Sequence, residues 1–78
     1  MKPGDLIRLN SQGNPVWVAP HPWRHTPWPE NIYPPGTLAV IIEIEEVGKD
    51  GPGMETQTLV MVNNLIGWVW LYECEEIR

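Results

Sequence analysis

The segment from Thr37 to Val47 carries the clearest alternation in the chain. Leu38, Val40, Ile42 and Ile44 fall on one side, and Ala39, Ile41, Glu43 and Glu45 fall on the other. Period two, with carboxylates on the second side, predicts a half-buried antiparallel strand. Leu38, Val40, Ile42 and Ile44 are then its expected core face. Gly48 to Gly53 reads as a turn, and Thr56 to Val62 as the returning antiparallel strand. Val60-Met61-Val62 is apolar and rich in β-branched residues. Asn63-Asn64 follows, and Asn tolerates the positive φ of a tight hairpin. A two-residue turn there pairs Val62 with Leu65 and Met61 with Ile66. Gly67 marks an expected bulge or bend. Trp68 to Leu71 favours a strand, Tyr72-Glu73 interrupts the pattern, and Cys74 to Ile77 has the length of an edge piece.

Upstream, Lys2-Pro3-Gly4-Asp5 is a turn that feeds a short strand, Leu6 to Leu9. Asn10 to Pro15 is rich in turn formers. Val16-Trp17-Val18 is expected to form a brief strand returning along the first. Residues 15 to 35 then hold seven of the nine prolines. Proline lacks a backbone donor and fixes φ, which excludes helix or central strand over most of this span. Residues 19–36 therefore read as one long ordered loop in extended, polyproline-like pieces. Trp23, Trp28 and Tyr33 are interleaved with the prolines, and a disordered tail would lack such side chains. The inventory is all-β: about five antiparallel strands and no helix beyond one turn. Residues 1–78 form one expected domain, a small barrel rather than a sandwich, which needs more strands.

Two stretches resemble the Src-homology-3 family. Val62-Asn63-Asn64-Leu65-Ile66-Gly67-Trp68-Val69 is similar to its distal hairpin. The spacing from Gly67 to Ile77 is similar to the family's closing strand, short helical turn and final strand. The resemblance covers about 18 residues and implies an SH3-like barrel with Val69, Cys74 and Ile77 pointing inward. It also implies that the 19–36 segment is an enlarged version of the family's first long loop. Trp70 stands where the family has Pro, and Glu73 where it has Tyr. Those two family residues line the groove for proline-rich peptides, so the resemblance implies the barrel and not that activity. The opening Gly4-Asp5-Leu6-Ile7-Arg8-Leu9 and the short acidic form also resemble small barrel proteins of phages and environmental bacteria. That likeness implies a cytoplasmic protein, or a virion component in the phage case.

Charge narrows the choice of partner. The net charge is −5, and eight acidic residues lie between Glu43 and the C-terminus against Lys49 and Arg78. Nucleic-acid binding needs clustered cations, so no nucleic-acid partner is expected. No apolar run approaches the ~20 residues of a membrane-spanning helix, and the N-terminal residues show no signal-peptide pattern. One cysteine excludes an intrachain disulfide.

Candidate chemistry is sparse. His21 and His25 sit four apart, but the prolines around them forbid the helix that would bring them to one face. Two imidazoles without a third ligand make a poor zinc site, so no metal or other cofactor is expected. Glu43 with Glu45, and Glu75 with Glu76, read as solvated pairs. The glycines of the 48–53 turn do not precede a helix, so no phosphate cradle forms. No enzyme activity and no small-molecule substrate are expected. What rises above background is the aromatic set: five Trp, two Tyr and no Phe. Trp17, Trp23, Trp28, Tyr33, Trp68 and Trp70 either cover a small core from outside or form a shared surface between the long loop and the Trp68–Trp70 strand. The second reading expects a non-catalytic interaction or structural module. Its partner is an extended or proline-containing peptide, another protein, or a second copy bound through the Trp/Pro-rich loop.

Overall fold

The computed structural model describes residues 2–21, 31–45 and 56–77. Trp23, His25, Trp28, Val47 and the expected 48–53 turn lie outside the described residues. Seven strands occur among the described residues, in chain order: β1 (Leu6–Leu9), β2 (Val16–Val18), β3 (Asn31–Tyr33), β4 (Thr37–Ile44), β5 (Gln57–Val62), β6 (Leu65–Trp70) and β7 (Cys74–Glu76). One 3₁₀ turn, Leu71–Glu73, joins β6 to β7. All pairings are antiparallel. They form a five-stranded sheet of order β6-β5-β4-β1-β7 and a two-stranded sheet, β2-β3.

The sheets meet at one backbone bridge. Ala19 and Trp68 exchange hydrogen bonds of 3.0 and 2.7 Å on the free edge of β6. The result is a sheet with a hairpin laid against one edge, not a closed barrel of five strands. β2 does not return along β1 as its position in the chain suggested; it pairs with β3, Val16 opposite Tyr33 and Val18 opposite Asn31. The expected 19–36 loop is thus shorter at its far end, where Asn31–Tyr33 forms a strand. Proline on both sides confines that strand to an edge, where a missing donor costs no ladder bond.

The 56–77 segment follows the sequence reading closely. Asn63 and Asn64 have φ of 50° and 67°, the geometry of the twist-matched two-residue turn. Val62 opposes Leu65, and Met61 opposes Ile66. Gly67, however, makes no bulge: the β5–β6 ladder runs through it without a register shift. Its glycine answers a close approach instead. A Cβ there would collide with Val18 Cγ1 and lie 3.0 Å from the Ala19 carbonyl oxygen, so only a bare backbone lets β2 seat on this edge.

The β4 face assignment is overturned. Ala39 and Ile41 are buried, whereas Leu38 and Ile42 are exposed and Val40 is half-buried. Two features set this parity. First, β1 buries Ile7 and Leu9, which leaves Arg8 outside, where a guanidinium keeps its water. Arg8 opposes Leu38, and Ile7 opposes Ala39. Second, a bulge between Ile41 and Glu43 advances β4 by two residues against one on β5. Ile41 points in, Ile42 and Glu43 both point out, and Ile44 returns to pack on the core. Ile44 is therefore the one member of the expected core set that packs there. The core itself gathers Ile7, Leu9, Val16, Val18, Ala39, Ile41, Val60, Val62, Val69 and Cys74.

Candidate functional site

The outer face of the large sheet is apolar. Its registers place Ile66 opposite Met61, Met61 opposite Val40, and Val40 opposite Leu6. One row of four hydrophobic side chains therefore crosses four strands on the solvent side. Ile66 is 62% exposed, Met61 40% and Leu6 50%. Leu38 at 53% and Ile42 at 40% flank the row on β4. Single exposed hydrophobes are ordinary on protein surfaces; a contiguous set on one sheet face sets this face apart from them.

The aromatic residues divide by this geometry. Trp68 and Trp70 are half-buried on β6, opposite Leu59 and Gln57. Alternation puts them on the same outer side as Ile66. Trp17 is exposed and pairs with exposed Ile32 across the β2–β3 hairpin. Paired residues across a bridge share a side, so the Ala19–Trp68 bridge puts Ala19, and with it Trp17, on the side of Trp68 and Trp70. Tyr33 points the other way and packs against the core. The hairpin's pleat explains this: Tyr33 opposes Val16, whose side chain is wholly buried. Trp23 and Trp28 lie outside the described residues. The aliphatic row was missed in the sequence because its β4 members were assigned to the core; the arginine at position 8 was the available signal.

No protein-family model, curated protein or solved structure matches the chain.

Ionisable groups elsewhere are structural in setting. Glu73 is buried at the 3₁₀ turn, and its Oε1 accepts the Trp70 backbone N–H at 3.4 Å. Burial raises its pKa, against the pull of the Trp70 N–H and of the Ser11 side chain. Cys74 Sγ donates to the Trp70 carbonyl oxygen at 3.8 Å. Burial first, and then the neighbouring Glu73 charge, push its thiol up to about 12. The enclosed Thr58 hydroxyl beside it draws the value slightly back, though its geometry falls short of a hydrogen bond. A thiol held this firmly protonated is a poor nucleophile. His21 is exposed, and no group of three potential metal ligands occurs among the described residues. A hollow of about 450 Å³ at the β1–β7 edge is lined by Asp5, Leu6, Ile7, Glu76 and Ile77, without an imidazole or a nucleophile. No helix among the described residues is long and apolar enough to cross a membrane.

Proposed function

We propose that the chain is a non-catalytic, SH3-like interaction module whose binding surface is the outer face of the five-stranded sheet. The architecture supports the SH3-like reading. The Val62–Leu65 hairpin and the strand–3₁₀–strand ending through Leu71–Glu73 are what the resemblance at Val62–Val69 and Gly67–Ile77 leads one to expect. The β2–β3 hairpin occupies the place of the family's first long loop. The family's peptide groove has no counterpart in chemistry: Glu73, at the groove Tyr position, is buried under the 3₁₀ turn.

The observation that carries the interaction reading is the Ile66–Met61–Val40–Leu6 row. Its exposed members remove apolar area from water only when something docks, at about 25 cal/mol for each Å² covered. An apolar dye such as anilinonaphthalene sulfonate tests this on dilute native protein. Dye fluorescence is expected to rise with the wild type and to fall sharply in Met61→Lys and Ile66→Lys, with near-UV circular dichroism unchanged. Equal dye binding by both variants, or none by the wild type under dilute conditions, removes this face as the binding surface.

A further inference from the structure

We infer that Glu73 is a pH-sensitive latch on the closing strand. While its side chain stays tucked under the 3₁₀ turn, β7 lies on β1; ionisation of that side chain releases the turn and β7 together, and the other strands stay paired.

The closing strand is lightly held. β7 is three residues long, stands at the end of the sheet and pairs only with β1 among the described residues. Its attachment runs through Glu73. The Glu73 carbonyl oxygen accepts the Asn10 N–H at 2.9 Å, which ties the turn to the end of β1. The side chain accepts the Trp70 N–H at 3.4 Å, near the long limit of a hydrogen bond. The Ser11 side chain adds a second pull. Cys74 donates its N–H to the Leu71 carbonyl oxygen and its Sγ to that of Trp70. At the other end of the turn, the Leu71 N–H is fixed to the Thr56 carbonyl oxygen at 2.8 Å. The turn and β7 therefore have one firm end, on β5, about which to move.

The buried carboxyl meets donors but no counter-charge. β5 and β6 carry no ionisable side chain. Around the turn, Cys74 is a buried thiol, Tyr72 and Glu76 are exposed, and Arg8 and Glu75 oppose each other on the outer face. A carboxylate without a cation is costly to keep from water. Opening the turn hydrates it, and a short edge element opens by breaking few contacts. Burial raises the pKa of Glu73, in the same sense. Once the turn opens, the ordinary value of 4.5 returns. Opening is therefore constant below that value and grows as pH rises above it. It levels off when pH passes the higher value of the closed state.

Cys74, buried on β7 beside the latch, reports the opening. The test is its rate of reaction with dithiodipyridine, a thiol reagent that works in acid as well as at neutral pH. The full chain is used at low micromolar concentration, from about pH 4 to about pH 8. Glu73→Gln keeps the acceptor without the charge, so the ratio of wild-type to variant rates cancels the chemistry of the thiol. That ratio is expected to be flat at the acid end and to rise severalfold by neutral pH, with near-UV circular dichroism of both proteins unchanged. Urea below the unfolding transition is expected to change the rates little, because opening a short element exposes little surface. A ratio that stays flat across the range overturns the latch. Rates that climb with urea as steeply as global unfolding does overturn it too, since β7 then leaves only with the rest of the fold. Should Glu73→Gln fail to fold, Ser11→Ala serves as the second variant. Loss of its pull on the carboxylate is expected to enlarge the rise with pH, and a profile identical to that of the wild type overturns the latch.

Discussion

Glu73 holds the least comfortable charge in the described structure. The residue is 7% exposed and no cation lies within ion-pairing distance among the described residues. What keeps it there is local: the 3₁₀ turn leaves the Trp70 N–H without a helical partner, and the side chain three residues on reaches back to it. The raised pKa fixes the sign of its effect on stability. Protonated Glu73 is favoured in the folded state, so its contribution is complete below the unfolded value of 4.5 and is lost as pH rises through the higher folded value. Glu73→Gln keeps the acceptor and removes the charge. Denaturant unfolding is expected to give equal midpoints for variant and wild type near pH 4 and a higher midpoint for the variant at pH 7. A lower midpoint at pH 7 would mean that the ionised form's hydrogen bonds outweigh its burial. The sequence marked position 73 as a departure from the Src-homology-3 pattern, but not as a buried acid. Burial there depends on where β1 and the Ser11 turn come to rest, which no local pattern encodes.

At the scale of elements, local turn chemistry was legible and strand parity was not. Asn63-Asn64 specified its turn and with it the β5–β6 register. β4 offered two apolar faces, Leu38-Val40-Ile42 and Ala39-Ile41, so alternation alone could not choose between them. The choice came from long-range partners, Ile7 and Val60, and from a bulge with no glycine or proline to announce it. Gly67 was noticed for the right reason, its missing Cβ, but its consequence lies in another strand. Gly67→Ala is expected to destabilise by about 1–3 kcal/mol, the usual range for overpacking, because Val18 and the Ala19 carbonyl must give way. Val18→Ala should cost less in that background than in the wild type, since it vacates the space the new methyl group needs. Chemical denaturation of the four proteins of this double-mutant cycle measures the coupling. Strictly additive losses would show that Val18 is not what excludes the side chain.

For the whole molecule, the apolar face and the net charge act against each other. Five net negative charges repel copies at neutral pH, and the Ile66–Leu6 row attracts them at short range. The acidic excess was readable from composition and is the physical ground for expecting no polyanionic partner. The sticky face was not readable, because its residues look like core. Lowering the pH toward the isoelectric point of about 4.7 removes the repulsion and leaves the attraction. Light scattering is therefore expected to show growing association as pH falls from 7 toward 5, reversing on return to neutral pH. Met61→Gln/Ile66→Asn makes the row polar without altering net charge, so its isoelectric point is unchanged. That variant is expected to remain small across the same range. If it grows as the wild type does, association at low pH arises from charge loss over the whole surface, and the outer sheet face has no special part in it.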